Sequence, residues 1–432
     1  MTRISTTTAA ALTTALLITG SFSHTAQAQE NAIRALTGAR LIDGTGNAAI
    51  EESTLIIRDG RIESAGAAGT VNVPDDAEII DLSGKTILPG FVNAHGHLNA
   101  DRSDRPRREK LVGQLRLYAE YGVTTVVVLG SGDGDLEETV RLAAEQENGS
   151  LDRARVYVAG PSLQNLDSAG EARSRVDAYA DANADIVKIH ITGGPNDMTP
   201  EVYGALIDQA HTRGLRVAAH LYYLEDARGL VDADVDILAH SVRDQPVDTA
   251  LIEEIKRRNI GYTPTLTRDL AQFVYETTPE FLSDPFFLSH ADAFRREIEV
   301  VSDPDRQAEI RNSESRQAMK PALELALRNL KTLSDADVLI ALGTDSGTNA
   351  GQWQGYFEHI ELEMMVDAGM STAEVLAAAT GGAARALGLE EELGTIQAGQ
   401  RADLLVLNAN PLEDIRATRE IDSVWIGGDR ID

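Results

Sequence analysis

A pair of histidines, His95 and His97, follows the apolar run that begins at Phe91. Successive side chains of an extended strand alternate in direction, so residues two positions apart point to the same side. Gly96 stands between the two histidines and adds no side chain that would crowd their rings. The spacing therefore allows both imidazoles to bind one metal ion. Two histidines at a strand end can equally be ordinary polar residues, so this interpretation depends on further ligands.

Lys188 lies inside a second apolar segment, Asp185-Ile-Val-Lys188. An unpaired ammonium group is costly to bury, so a lysine at this position needs a physical reason. One reason is carboxylation by carbon dioxide, which converts the amine into a carbamate with two oxygens that can each bind a metal. The alternative is that Lys188 pairs with a nearby carboxylate and only supports the fold.

Three further strand ends carry potential ligands, which are His220, His240 and Asp345. Each follows an apolar run, and each is predicted at the carboxyl end of a strand, where barrel enzymes keep their active sites. This recurrence favours a metal-dependent enzyme over a coincidence of polar residues. His190 shares its strand parity with Lys188, and we interpret it as a hydrogen-bonded core histidine.

The segments that would position these residues alternate between apolar strands and helical stretches, a pattern typical of βα units around a parallel sheet. Eight candidate strands predict an α/β fold of the (β/α)8 TIM-barrel type, with a doubly wound open sheet as the competing topology. The candidate strands are Phe91 to His97, Thr124 to Leu129, Ala154 to Gly160, Ile186 to Ile191, Leu215 to His220, Ile237 to His240, Gly261 to Thr265 and Val338 to Asp345.

Both ends of the chain are rich in short alternating strands. The clearest case is a hairpin, in which Asp59-Gly60 separates the strands Thr54 to Arg58 and Arg61 to Ala65. An Asp-Gly pair between alternating runs favours a two-residue turn. Between the seventh and eighth barrel strands lies a long charged segment from Arg268 to Leu333. We expect it to be helical, and it either caps the barrel mouth or is a solvated insertion without a part in substrate binding.

The first residues have the pattern of a secretory signal. Arg3 precedes an apolar stretch from Ala9 to Gly20, and Ala26-Gln27-Ala28 has small residues at a cleavage site. The stretch is too short for a comfortable membrane anchor, which is the alternative. We therefore expect an exported protein, periplasmic or secreted, with no membrane association after the signal peptide is removed.

Composition narrows the classes of partner and site. The net charge of −29 argues against nucleic-acid and anionic-membrane partners, which need a basic surface. Cys is absent, so a thiol nucleophile and Cys-based metal sites are excluded. The expected partner is a small-molecule substrate, and a homo-oligomer is left open.

The sequence resembles the amidohydrolase superfamily, specifically its imidazolonepropionase-like and prolidase-like (Xaa-Pro dipeptidase-like) members. The resemblance spans nearly all of the chain after the signal segment. The motifs that carry it are Leu88 to His97, Tyr121 to Thr125, Lys188 with Thr192-Gly193-Gly194, His220, His240, Gly343-Thr344-Asp345, Ala378 to Thr380, Gly394 to Ile396, Gly399 and Ala402 to Leu404.

The resemblance implies a domain organisation and a binuclear metal site. We expect a signal peptide at 1–28, a composite β-sandwich from 29–89 and 391–432, and a barrel from 90–390 with an insertion at about 268–333. His95, His97 and Asp345 would hold one divalent ion and His220 and His240 the other, with carboxylated Lys188 bridging both. Zinc is the default for such ligands, although manganese, iron and cobalt also accept them.

The resemblance also implies hydrolysis by a hydroxide held between the metals, with Asp345 as the proton shuttle. Weaker candidates for substrate binding are Tyr222, Tyr223 and Arg243, because a Tyr shortly after the fifth-strand His holds the substrate carboxylate in similar dipeptidases. The alternatives are packed aromatic rings for the tyrosines and a solvated ion pair with Asp244 for Arg243.

The leading hypothesis is hydrolysis of an amide bond in a dipeptide or N-acyl amino acid. A first alternative is a hydrolase of a cyclic amide, lactone or other acylated small molecule on the same site. A second is a mononuclear deaminase or imidazolone-ring hydrolase, which usually has a Glu near the fifth-strand His and needs no bridging Lys. Glu225 lies five residues beyond His220, and Lys188 is present, so this alternative is disfavoured. A non-catalytic binding protein is the alternative from another class.

Overall fold

In a computed structural model, the described residues are 33–130, 136–147 and 151–431. The predicted signal peptide at 1–28 lies outside them. Within these ranges, no helix is both long and apolar enough to cross a membrane. The strands are β1 Ile33–Thr37, β2 Arg40–Leu41, β3 Ser53–Arg58, β4 Arg61–Ala67, β5 Glu78–Asp81, β6 Thr86–Pro89, β7 Phe91–Gly96, β8 Val123–Val128, β9 Arg155–Val158, β10 Ile186–His190, β11 Arg216–His220, β12 Ile237–Ala239, β13 Gly261–Thr263, β14 Leu404–Leu407, β15 Ile421–Ile426 and β16 Asp429–Ile431.

Helices separate the central strands and fill the segment before residue 338. They are α1 Arg107–Glu120, α2 Leu136–Glu145, α3 Ala169–Asp181, α4 Pro200–Thr212, α5 Leu224–Asp232, α6 Thr249–Arg258, α7 Leu266–Leu270, α8 Pro285–Leu288, α9 Ala291–Ser302, α10 Pro304–Asn312, α11 Glu314–Gln317, α12 Met319–Asp335, α13 Tyr356–Asp367, α14 Thr372–Ala378 and α15 Gly381–Leu387, with short 3-10 turns at Val274–Glu276, Glu280–Ser283 and Ile415–Arg419.

Two sheets occupy the ends of the described chain. One has the order β4-β3-β1-β5, and the other has the order β16-β15-β14-β6-β2, so the second sheet combines strands from both ends. The predicted hairpin is confirmed, since β3 and β4 pair antiparallel and both Asp59 and Gly60 have positive φ. Apolar side chains from the two sheets form one buried cluster, which includes Leu36, Ile57 and Trp425. This packing fixes the two chain ends against each other.

The central strands form two parallel sheets, β7-β8-β9 and β10-β11-β12-β13. All six residues of β8, Val-Thr-Thr-Val-Val-Val, are buried, as expected for a parallel strand that is covered on both faces. Isolated bridges connect the sheets, with Ala159 pairing to Ile186, Tyr262 to Ile340 and Gly96 to Ser346. Seven of the eight predicted central strands are therefore confirmed, and their carboxyl ends share one edge.

The eighth predicted strand is not regular. Within Val338 to Asp345 the structure has a single bridge at Ile340, and no continuous closed sheet is found among the described residues. The reason lies in its hydrogen bonds, because the Thr344 and Asp345 amides both donate to the His95 carbonyl. Two consecutive donors on one acceptor break the even spacing of a parallel ladder.

The predicted insertion is helical. Helices α7 to α12 fill it, and aromatic residues at its centre, including Phe287 and Phe294, pack on Trp353 and Tyr356. This contact anchors the insertion to the segment that follows Asp345. The segment with Trp353 and Tyr356 therefore contacts the insertion and also follows directly on one predicted metal ligand, Asp345.

Candidate metal centre

His95 and His97 lie at the end of β7, next to Asp345. Their Nε2 atoms are 3.4 and 2.8 Å from the Asp345 Oδ1 atom, respectively. The Nδ1 atom of His97 lies 3.2 Å from the Gly130 carbonyl. A proton on that nitrogen would leave Nε2 free to face a cation, which is the usual arrangement of a metal-binding histidine. The strand alternation thus brings the two rings to the same side, as the sequence predicts.

Lys188 lies on β10 and is buried to 1% exposure. Its Nζ atom is 3.5 Å from His95 Nε2, and among the described residues no carboxylate lies within ion-pair distance of it. Burial lowers the pKa of Lys188 to about 7, with Asp345 opposing and Arg268 reinforcing the shift. The amine is therefore poised to lose its charge near neutral pH, and the alternative of a supporting carboxylate partner is wrong.

His220 and His240 end strands β11 and β12. Their ring centroids are 4.3 Å apart, and the His240 ring is 4.7 Å from that of His95. The Nδ1 atom of His240 is 2.7 Å from the Thr265 hydroxyl oxygen, so its Nε2 atom is left for the centre. The ring centroids of His190 and His220 are 4.5 Å apart, so His190 is a neighbour of the predicted ligands.

Asp345 follows the irregular eighth segment with a left-handed backbone, φ 59°. Besides the two histidines, the Thr348 hydroxyl donates to its Oδ1 atom at 3.1 Å, and Arg268 Nε lies 3.7 Å from its Oδ2 atom. Burial would raise the pKa of Asp345, but the hydrogen bond from His97 and the charge of Arg268 outweigh burial and hold it well below the ordinary value. The carboxylate is therefore ionised and able to bind a cation.

The donor set fits a divalent cation. Potential ligand atoms of His95, His240 and Asp345 all lie within 4.8 Å of one another. Burial lowers the pKa of His95, His220 and His240, so these imidazoles are neutral and offer lone pairs. The Nδ1 atom of His95 is also buried without a hydrogen-bond partner among the described residues. This group combines His240, which was predicted to bind one ion, with His95 and Asp345, which were predicted to bind the other. The division of the ligands between two ions therefore stays a prediction.

A sequence model of the Amidohydrolase family matches residues 86–431. The chain belongs to the amidohydrolase family. Members of this family are generally metal-dependent, in agreement with the candidate centre. The family assignment supports a hydrolase that acts on carbon–nitrogen bonds.

The relatives of this amidohydrolase include proteins with and without an assigned activity. An uncharacterized protein of Mycobacterium tuberculosis is 28% identical over 201 residues, and the match spans 43% of this chain and only 50% of that protein. The imidazolonepropionase of Deinococcus deserti is 25% identical over 88% of this chain and 92% of its own. A crystal structure of a candidate prolidase from Bifidobacterium longum aligns with a TM-score of 0.75 and 27% identity, over 93% of this chain and 94% of that one. These neighbours imply a TIM barrel with an additional β-domain.

A cavity of about 340 Å³ opens beside the candidate centre of the amidohydrolase. The predicted substrate-binding residues Tyr222, Tyr223 and Arg243 line it together with His220. Its remaining lining comes from the strand-four loop and from the insertion: Thr192, Arg268, Gln272, Ser315, Arg316 and Met319. A larger cavity of about 790 Å³ lies between α1 and α9, but none of the six predicted ligands lines it. We assign the substrate to the smaller cavity because it contains His220.

Arg243 is buried rather than solvated. Its Nε atom lies 3.3 Å from Asp269 Oδ2, and its guanidinium stacks 4.6 Å from the centroid of the Tyr222 ring. The proposed partner Asp244 instead accepts the backbone amide of Leu224, so the alternative of a solvated Arg243–Asp244 pair is wrong. Tyr222 packs on Arg243, whereas Tyr223 is 41% exposed at the rim.

Arg268 is a residue that the sequence reasoning missed. Its Nη1 atom donates to Asp269 at 2.8 Å while its Nε faces Asp345. Asp269 is fully buried and therefore joins Arg243 and Arg268 through one carboxylate. The only available signal was the position of Arg268, three residues after the Thr265 that ends the seventh predicted strand.

Two buried glutamates on α13 also escaped the sequence analysis. Glu358 accepts hydrogen bonds from Asn93 at 2.5 Å, Thr344 at 2.8 Å and Ser346 at 2.7 Å. Glu361 accepts the backbone amides of Leu266 and Thr267. Burial raises the pKa of Glu358 to about 7 and that of Glu361 to about 8. Through these hydrogen bonds, α13 fixes three segments: the end of β7, the segment that leads to Asp345 and the turn that follows Thr265.

Proposed function

We propose that this amidohydrolase uses two divalent metal ions to hydrolyse an amide bond in a dipeptide or N-acyl amino acid. The observation that carries the proposal is the meeting of neutral imidazoles, an ionised carboxylate and a buried amine beside a cavity lined by guanidinium groups. The likeness to a candidate prolidase supports the choice of an amide of this type.

The proposed ligands divide into two sets that share Lys188. His95, His97 and Asp345 would hold one ion, and His220 and His240 the other. Divalent ions, zinc by default, supply a hydroxide nucleophile near neutral pH and polarise the scissile carbonyl. The two predicted sets would place this chemistry between β7 and β12.

Carboxylation of Lys188 is supported by its lowered pKa. An amine reacts with carbon dioxide only in its neutral form. With a pKa of about 7, about half of the Lys188 amines are neutral at pH 7, whereas an ordinary lysine with a pKa of about 10.4 is neutral in only about one molecule in 2,500. Burial therefore supplies the neutral amine from which the bridging carbamate would form.

Asp345 is the proposed proton shuttle. It is ionised and belongs to the candidate metal group, so it would take a proton from the attacking water and then donate that proton to the departing amine. Arg268, on the other Oδ atom, holds the carboxylate in this orientation. Arg243 and Tyr222 are the proposed contacts for the substrate's α-carboxylate, because both line the cavity and stack on each other.

We also propose that the two central sheets and the Val338 to Asp345 segment act as one closed (β/α)8 barrel. The bridges at Ala159, Tyr262 and Gly96 support this closure. Export with removal of residues 1–28 is part of the same proposal, and sequencing the amino terminus of the native protein tests it. An intact Met1 on protein recovered from the cell envelope would contradict export.

A second candidate is hydrolysis of a cyclic amide, which the likeness to imidazolonepropionase favours. Its mononuclear form needs a glutamate near the fifth-strand histidine. Glu225 is exposed in the first turn of α5, so it does not serve as that acid.

The test combines elemental analysis with turnover on dipeptides, N-acyl amino acids, cyclic amides and lactones. We expect about two metal ions per active chain, fastest turnover on a linear amide, and loss of activity on chelation. One ion per chain at full activity would reject the two-metal site. Faster turnover on a cyclic amide or lactone than on every linear amide would reject the linear-amide assignment.

A further inference from the structure

The cavity beside the candidate centre has an unusual charge. Its lining contains three guanidinium groups, those of Arg243, Arg268 and Arg316, and no carboxylate. The chain as a whole carries 68 acidic and 39 basic residues, so a lining whose charged side chains are all cationic runs against its composition. A cavity of this kind selects an anionic ligand.

The three guanidinium groups are not equivalent. Arg243 and Arg268 share the buried carboxylate of Asp269. Arg316, on α11 of the insertion, donates from Nη1 to the Gln272 carbonyl at 3.0 Å, and within the described ranges it has no carboxylate partner. Burial lowers the pKa of Arg316 and nearby Arg306 lowers it further, while Glu309 opposes the shift without forming an ion pair with Arg316. A half-buried guanidinium with one of its five donors used is therefore open to a carboxylate ligand.

Resting on the proposed function, we propose that Arg316 forms a second carboxylate subsite, and that the preferred substrates are amides of an acidic amino acid. The α-carboxylate would contact Arg243 and Tyr222, at the ends of β12 and β11. The side-chain carboxylate would contact Arg316, which approaches the same cavity from the insertion. A cavity of about 340 Å³ suits a small substrate that carries both groups.

The subsite gives the insertion a role in specificity. The insertion supplies Arg268, Gln272, Ser315, Arg316 and Met319 to the lining, and of its two cations Arg316 is the one without a carboxylate partner among the described residues. A neutral side chain of the same shape would leave Arg316 without its anion. We expect this loss to lower kcat/KM by roughly 10- to 100-fold, the usual range for a hydrogen bond to a charged group.

The matched substrates are N-acetyl-L-glutamate and N-acetyl-L-glutamine, which differ in charge and hardly in shape. The wild-type protein should prefer the glutamate compound by about 10- to 100-fold in kcat/KM. Arg316→Gln should remove the preference by slowing the glutamate compound alone. Arg295→Gln is the matched control, because Arg295 pairs with Asp292 at the surface of the insertion and does not line this cavity. Measurable but equal turnover of both compounds by the wild type, or an unchanged preference in Arg316→Gln, would overturn the subsite.

A binding measurement separates this inference from the proposed function. Calorimetry with glutarate and its monoamide, glutaramate, needs no turnover. If neither acetyl compound is hydrolysed but glutarate binds more tightly than glutaramate only when Arg316 is present, the subsite stands and the amide assignment fails. If the acetyl compounds are hydrolysed and the two acids bind equally, the subsite fails and the amide assignment stands.

Discussion

Replacing Lys188 by Met should stabilise the metal-free protein while removing its proposed bridging ligand. Met has a similar length and no charge, so it keeps the buried volume and removes the ammonium group. Burial lowers the pKa of Lys188 from 10.5 to about 7 in the folded protein. The unfolded chain therefore holds the proton more tightly, and the folded state loses free energy wherever that proton is bound.

The size of this effect follows from the two pKa values. One pKa unit corresponds to about 1.4 kcal/mol, so the shift costs the folded state about 4 kcal/mol at pH 7 and about 2 kcal/mol at pH 9. Wild-type stability should accordingly rise with pH between about 7 and 10.5, and this contribution should be absent from Lys188→Met. The gain of the variant over the wild type should thus halve between pH 7 and pH 9.

The assay is urea unfolding at both pH values, on protein treated with a chelator in buffer free of carbon dioxide. Lys256→Met is the matched control, since the Lys256 side chain is 43% exposed and should shift stability by less than about 0.5 kcal/mol. A Lys188→Met protein that is no more stable than the wild type at pH 7 would refute the buried-amine reasoning. If the reasoning holds, added zinc and bicarbonate should stabilise the wild type more than the variant, because the variant keeps the other five proposed ligands but lacks the bridge.

Two further substitutions test the centre. Asp345→Asn keeps the size of the side chain but removes its ability to take a proton, so turnover should fall roughly 100- to 10,000-fold at equal metal content, as steady-state kinetics with elemental analysis would measure; near-normal turnover would reject the shuttle. Thr265→Val removes the hydroxyl that lies 2.7 Å from His240 Nδ1, so metal affinity in a competitive chelator titration should weaken roughly 10- to 100-fold. Unchanged affinity would mean that the His240 ring is oriented by other contacts.

Sequence patterns predicted the parallel strands well because burial on both faces leaves few polar residues in them. In Val123–Val128 and Ile186–His190, the short length and the β-branched residues favour a strand over a buried helix. The prediction of a regular eighth strand was wrong. Its apolar run meets the sequence criteria for a strand, but its actual hydrogen bonds depend on the neighbouring strand β7. The shared acceptor at His95 cannot be read from local sequence.

The proposed ligands were recognisable because each is a polar residue at the end of an apolar strand. Arg268, Glu358 and Glu361 lie on helices, where a charged residue ordinarily faces solvent. The full burial of the two glutamates and the partial burial of Arg268 arise from the packing of α13 and α7 against the strand ends, and only the tertiary structure supplies them. The hint for the glutamates was that α13, Tyr-Phe-Glu-His-Ile-Glu-Leu-Glu-Met-Met-Val-Asp, is apolar on both sides of them.

The backbone conformation of Thr265 accounts for the buried carboxylate of Glu361 near the candidate centre. Its φ of 50° is unusual for a β-branched residue and costs the fold on the order of 1–3 kcal/mol. The conformation turns its hydroxyl toward His240 and begins α7, which carries Arg268 toward Asp345. Glu361 accepts the next two backbone amides, which would otherwise be buried donors without partners at a helix start. Because these two bonds hold the turn closed, the strain at Thr265 is compensated by Glu361, and the orientation of one imidazole and one guanidinium at the centre depends on the same carboxylate.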